Sequence, residues 1–243
     1  MPSSRRIYSE MLPFRDLVKR ETIALLAKYK LEVVLAVRPW NLAELPEVAK
    51  TLAGEGVALS VWPMLADEEG RWASVHNASS FAKLTLETCD VLESKGKAPR
   101  DVLFDLEPPF AQARTLASMG ASRSRSPEGL ARFAAGLSRA TNKELEGAAA
   151  TFAETVGALH ARGISTSMAV WPLVALDPPG ERAWQSLLGT PVDALGTSHV
   201  SVMMYTSILE GWSRGTLRRR DTTALLAAAT LRTVRRWGAT AGV

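Results

Sequence analysis

The chain reads as an α/β protein, a (β/α)-barrel of the TIM type forming a single domain over residues 1–243. Three observations lead there. Apolar runs of strand length alternate with longer amphipathic segments along the whole chain, the pattern of a parallel sheet covered on both faces. No glycine-rich phosphate loop follows the first strand, and no G-x-G-x-x-G or Walker sequence occurs, which weakens the nucleotide-binding, doubly wound alternative. Trp40, Trp62, Asp105, Glu107, Trp171 and Tyr205 all fall at or just past the C-terminal ends of different strands. A barrel gathers those ends into one rim, whereas a doubly wound sheet spreads them along an edge.

In chain order, Arg6 to Leu12 alternates in character and stops at Pro13, and an amphipathic helix follows from Arg15 to Tyr29. Leu31 to Val37 is a continuous apolar strand closed by Arg38-Pro39-Trp40, and a helix runs from Ala43 to Ala53. Val57 to Val61 is the third strand, ended by Trp62-Pro63-Met64; after a loop at 66–72 comes a helix carrying Phe81, Leu84, Leu86 and Leu92. The fourth strand spans Asp101 to Glu107. A connection from Phe110 to Ser126, rich in Ala, Ser, Gly and Arg, precedes a helix restart at Ser126-Pro127-Glu128 and a second helix from Lys143 to Ala161. Ile164 to Val170 is the fifth strand, Asp177-Pro178-Pro179-Gly180 a turn and Arg182 to Leu188 a short helix. His199 to Tyr205 is the sixth strand, Thr222 to Trp237 a helix, and Ala239 to Val243 the start of a seventh strand. A closed barrel needs an eighth. Either Val192 to Leu195 hides one, or the barrel has fewer than eight complete units and is truncated at its C-terminus.

The fourth strand organises the reading. Side chains alternate along a strand, so Asp105 and Glu107 share a face with Leu103, roughly 6–7 Å apart along the backbone, while Phe104 and Leu106 take the other. Two carboxylates at the end of an apolar strand are costly unless something uses them. One capping the next segment and the other meeting a basic partner would be the ordinary explanation. Around them, Trp40, Trp62 and Trp171 each neighbour a proline just past a strand. Indoles offer a flat apolar face and one donor, a surface on which sugar rings stack, although each alone could equally plug the barrel. Arg38, Met203 and Glu10 lie at the same strand ends and complete a candidate substrate-binding set.

Phe104-Asp105-Leu106-Glu107 resembles the end of the D-x-x-D-x-D-x-E signature of the chitinase-like glycoside hydrolases of family 18, and Met203-Met204-Tyr205-Thr206 resembles that family's M-x-Y-[DN]. The resemblance implies Glu107 as the acid that protonates the glycosidic oxygen. It makes Asp105 the carboxylate that orients the substrate's N-acetyl group for attack, and Tyr205 an acetamide contact. Arg100 and Leu103 stand where the signature has its earlier acids, Thr206 replaces Asp or Asn, and the family's last strand with its floor tryptophan has no counterpart. The chemistry is coherent on its own terms, because glycosidases set an acid of raised pKa beside a carboxylate that stays ionised.

Composition narrows the field. With 47% hydrophobic and 22% charged residues the chain can bury a full core, and no run is long and apolar enough for a membrane span. No apolar segment follows the basic start, so no signal peptide is visible and a cytoplasmic location is the default expectation. The single cysteine, Cys89, rules out an internal disulfide and reads as a core residue. A net charge of +4 with arginines at helix ends and no aromatic interleaving gives no nucleic-acid motif. His76, His160 and His199 form no metal-ligand spacing, so neither a zinc site nor a cofactor is expected. The expectation is a hydrolase of a β-linked, N-acetylated saccharide. The alternatives are an inactive barrel that binds saccharide and a metal-dependent hydrolase or lyase holding Mg²⁺ on Asp105 and Glu107 with Asp67 or Asp177. The sequence carries no signal of oligomeric state.

Overall fold

A computed structural model describes residues 5–114, 139–178, 180–193, 195–206, 218–238 and 241–242. Seven parallel strands pair in the order of the chain: β1 (Arg5–Ser9), β2 (Leu31–Val37), β3 (Leu59–Pro63), β4 (Asp101–Leu106), β5 (Ser165–Val170), β6 (His199–Val202) and β7 (Ala241–Gly242). A doubly wound sheet reverses its strand order; this one never does, and is wound in one direction as a barrel is. Among the described residues β1 and β7 are each paired on one side only, so the barrel is incomplete.

The curl of the sheet is visible in its side chains. Arg6 on β1 donates from Nη1 to Asp101 Oδ2 at 3.1 Å and to Ser167 Oγ at 3.3 Å, on β4 and β5. In a flat sheet β1 and β5 would lie about 19 Å apart at the usual strand spacing, beyond an arginine's reach. Their inner faces must therefore turn toward one another. Arg6 also pairs with Glu32 of β2 at 3.0 Å, and Arg100 meets the other oxygen of that carboxylate at 3.3 Å. Ser60 and Ser167 donate to Glu32 and Asp101 at 2.6 and 2.5 Å. This polar cluster forms the floor of the interior. Above it Val34, Ala36, Trp62, Met64, Leu103 and Ala169 pack into an apolar plug, with Trp72 and Met203 against it.

The outward faces carry the main core. Val33, Leu35 and Val37 of β2 and Val102, Phe104 and Leu106 of β4 pack beneath the helices. Phe104 lies 5.6 Å from Phe81 and 6.0 Å from Phe152, ring centre to ring centre. These belong to α4 (Ala78–Glu93) and α5 (Asn142–Ala161), following the short helices α1 (Phe14–Leu17), α2 (Arg20–Lys28) and α3 (Leu45–Gly54). The layer is completed by α6 (Ala183–Leu188) and α7 (Arg219–Trp237). Thr141 caps α5 reciprocally with Glu144: the Thr141 hydroxyl accepts from the Glu144 N–H and the Glu144 carboxylate from the Thr141 N–H. Cys89 is buried on α4, where burial pushes its thiol up to about 12, as suits a core residue.

Several boundaries differ from expectation. The first strand ends at Ser9, and the helix expected from Arg15 is two helices. β3 runs on through Trp62 to Pro63, because a proline at the last ladder position forfeits little pairing. β6 stops at Val202, leaving Met203, Met204 and Tyr205 beyond the ladder. Val192 and Leu195 are core residues but form no strand. The helix restart at Ser126 lies outside the described residues.

The floor gives a stability test. Arg6→Met leaves Glu32 and Asp101 buried without their shared cation, a change that typically costs about 3 kcal/mol or more. Urea denaturation is expected to show a loss of that order at an unchanged m-value, whereas a loss under about 0.5 kcal/mol would mean that the floor does not hold the curl.

Candidate active site

The C-terminal end of β4 builds the site. Asp101, Leu103 and Asp105 face the interior in a row, one on the polar floor, one in the apolar plug and one at the mouth. Asp105 is 2% exposed, and its Oδ1 has no hydrogen-bond partner among the described residues. Trp62 stands close to this carboxyl, yet its Nε1 is likewise buried and outside hydrogen-bonding geometry. Glu107, just past the strand, is partly buried, and its Oε2 accepts the Trp171 indole N–H at 3.0 Å.

The two carboxyl groups lie close enough for each to influence the other's hold on its proton. Burial first, then the charge of Glu107, hold Asp105 well above the ordinary carboxylate range; the nearby Glu10 adds to this and Trp62 opposes it. Burial pushes Glu107 up to about 7, against the pull of the Trp171 N–H and of the proton on Asp105; Glu10 raises it further and Arg71 lowers it. Burial thus favours the protonated form of both acids and brings the loss of the Glu107 proton near neutrality. Burial is the first cause at both, and it is more complete at Asp105 than at Glu107.

The other expected residues divide. Glu10, beyond β1, is felt by both carboxyls and meets Arg71 at 3.6 Å. Tyr205 stands 54% exposed near Tyr8, whose phenol burial raises above its ordinary value. Met203 packs against the apolar plug. Trp62 and Trp171 are buried, 9% and 7% exposed, so neither offers an open face of the kind expected for sugar stacking. Trp40 is 64% exposed with the Arg38 guanidinium 5.5 Å over its ring. These two line a groove of about 410 Å³ together with Glu10, Ala36, Asp67 and Glu68. Arg38 is engaged by the Leu65 carbonyl at 2.8 Å and by Asp67 at 3.1 Å.

The acids invoked for a metal have other work. Asp67 is held by Arg71 and Arg38, and Asp177 accepts the backbone N–H groups of Trp184 and Gln185. Among the described residues no group of three or more His, Cys, Asp or Glu side chains is placed to hold a metal ion. His160 pairs with Thr166 at 2.8 Å, and His76 and His199 are exposed.

Two residues at the mouth were not singled out from the sequence. Tyr8 shares the inward face of β1 with Arg6 and meets Trp62 edge-on at 6.2 Å; strand alternation would have found it. Arg71 follows Gly70 in the loop after β3, and only its position beside a glycine hints at the conformation that brings it to the mouth.

The raised affinity of Glu107 for protons has a consequence for folding. Its folded value of about 7 lies above the ordinary 4.5, so its contribution to stability is fully present below about 4.5 and is lost as the pH rises through about 7. Glu107→Gln removes that loss. The stability of the variant relative to wild type is expected to rise by on the order of 2–3 kcal/mol between pH 4.5 and pH 8, read by denaturant titration at each pH. A difference independent of pH would show that Glu107 titrates normally.

No protein-family model matches the sequence, and no curated protein matches it. Among solved structures the chain is similar to the PgaB (BpsB) glycoside hydrolase domain from Bordetella bronchiseptica, with a TM-score of 0.49 and 12% identity over 99% of this chain and 83% of that one. A likeness of that degree transfers neither substrate nor mechanism.

Proposed function

We propose that the protein is a glycoside hydrolase acting on a β-linked, N-acetylated saccharide, with Glu107 as general acid and base. The observation that carries the reading is the pair of buried carboxyl groups, Asp105 and Glu107, at the C-terminal mouth of the barrel, with Glu107 held by the Trp171 N–H. Protonated Glu107 donates to the glycosidic oxygen as the bond to the anomeric carbon breaks. The substrate's acetamide oxygen attacks that carbon, and its N–H is held by Asp105. Water then opens the cyclic intermediate, with the Glu107 carboxylate taking the water's proton. Asp105 Oδ1 and Trp62 Nε1, a buried acceptor and a buried donor, suit the N–H and C=O of such an acetamide. Tyr205 stands at the same mouth as a further contact.

Chromogenic glycosides and chito-oligosaccharides, given to the wild type and to Glu107→Gln, test the reading. Hydrolysis is expected to fall about 10³-fold or more in the variant and to be indifferent to EDTA. Oligosaccharide binding without turnover in the wild type would make the barrel a binding module instead, and loss of activity with EDTA would favour a metal-dependent reaction.

Because the acid form of Glu107 is the donor, kcat/KM is expected to fall tenfold per pH unit above about 7, the value at which this carboxyl loses its proton. A profile flat from pH 6 to pH 9 would exclude Glu107 as the acid.

A further inference from the structure

Arg71 adopts a left-handed backbone, φ 61°, directly after Gly70 at φ 98°. That conformation is uncommon for a residue with a long side chain and is retained where the surroundings enforce it. Here they do. The Arg71 N–H donates to the Ala66 carbonyl and its own carbonyl accepts from Leu65. Asn77 Nδ2 holds the Glu69 and Trp72 carbonyls at 2.9 and 2.8 Å. A Cβ at Gly70 would come within 2.9 Å of that same Asn77 nitrogen, so the loop closes only with glycine there. The segment is then fastened to β4: the Ala73 N–H donates to the Asp105 carbonyl at 2.9 Å, and Ala73 bridges Leu106.

What this construction delivers is a guanidinium in a fixed place. Arg71 Nε and Nη2 donate to the two oxygens of Asp67 at 2.8 and 2.9 Å, and Nη1 lies 3.6 Å from Glu10 at the end of β1. Its carbon sits 3.7 Å over the ring of Phe110, three residues past Glu107, and 5.2 Å from that of Trp72. A cation held by two carboxylates and two aromatic faces has little freedom left.

We propose that Arg71 is a positioning residue for Glu107, fixed at the barrel mouth as the counter-charge that this carboxylate requires once it has given its proton to the leaving group. The role rests on the hydrolase reading and adds to it a residue that touches neither substrate nor reacting atoms. The Phe110 N–H donates to the Gly70 carbonyl at 3.1 Å and the Ala73 N–H to that of Asp105, so Arg71 is laid alongside the segment that carries Glu107. The groups that act on Glu107 are Asp105 on its own strand end, Glu10 from beyond β1, Trp171 from the end of β5 and Arg71 from the loop, and Tyr8 acts with Asp105. Arg71 is the cation in that set, and Asp67, itself paired with Arg38, anchors it from behind.

Three variants separate the guanidinium from the loop that carries it. Arg71→Met removes the charge, Arg71→Lys keeps a charge without the two-point hold, and Arg71→Gly keeps the left-handed backbone and removes the side chain. The Glu107 side-chain carboxyl is followed by ¹³C NMR titration, which needs no turnover, alongside kcat and KM across pH. In Met and Gly variants the Glu107 midpoint and the alkaline limb of kcat/KM are expected to move up together by about 0.5–1 unit. With these, kcat is expected to fall about tenfold and KM to change less than twofold, and lysine should recover part of each effect. The proposal is overturned by a Glu107 titration unchanged in folded Met and Gly variants. It is equally overturned if the glycine variant matches wild type while methionine does not, since the backbone alone would then matter. Should the wild type hydrolyse none of the saccharides, the hydrolase reading fails by itself, and the titration still decides whether Arg71 governs Glu107.

Discussion

The inward face of β4 places carboxyl groups inside the barrel at both ends, and the remainder of the molecule is arranged around that constraint. Strand alternation leaves no choice once Val102, Phe104 and Leu106 are committed to the helices: Asp101, Leu103 and Asp105 must point inward. Burying an ionised carboxylate without compensation is prohibitive, so each acid demands a partner from another strand. At the floor that demand draws Arg6 across from β1 to β4 and Arg100 over to Glu32. Those bonds can form only if the sheet curls. The polar floor is thus a cause of the barrel's curvature as much as its product.

Between floor and mouth, Leu103 and its neighbours from β2, β3 and β5 form an apolar layer, and this layer matters for the chemistry above it. It separates the carboxyls at the mouth from the arginines below, so Asp105 sits against Leu103, Trp62 and Ala169 rather than against a cation. Desolvation accordingly comes first among the causes that raise both Asp105 and Glu107. The plug fills the core and, by the same packing, raises both acids, Glu107 to about 7.

Much of this was legible in the sequence because it depends on local periodicity. The alternation of strand and helix, the order of six strands with a seventh beginning, and the common face of Asp105 and Glu107 all follow from periods of two and 3.6. What escaped depends on residues distant in sequence. How far an acid is removed from water is a matter of depth, and the burial that raises Asp105 and Glu107 comes from packing against other strands. Asp67 and Asp177 read as available ligands, yet the first belongs to Arg71 and Arg38 and the second to the N-terminus of α6. The proline-flanked tryptophans looked alike, but β3 extends far enough to swallow Trp62, while Trp40 rides on a turn of 3₁₀ helix in the open. Arg71 needed the left-handed turn, and a single glycine in a charged loop does not announce one.

The two ends of the interior solve the same electrostatic problem differently, and the difference is what suits the mouth to the proposed acid chemistry. At the floor, burial still raises Asp101 and leaves its Oδ1 without a partner, but Arg6 and Ser167 work against that rise. An acid bound to a guanidinium has little to give at neutral pH. At the mouth the charge is suppressed by protons instead, and a proton, unlike an arginine, can be handed to a substrate. A cation seated on Glu107 as Arg6 is on Asp101 would favour the ionised form and remove the acid. Arg71 avoids this by being spoken for: its hydrogen bonds go to Asp67. In the proposed reaction, the left-handed turn at Gly70 and Arg71 keeps a cation beside the carboxylate that forms on proton donation, while its hydrogen bonds stay with Asp67 beforehand.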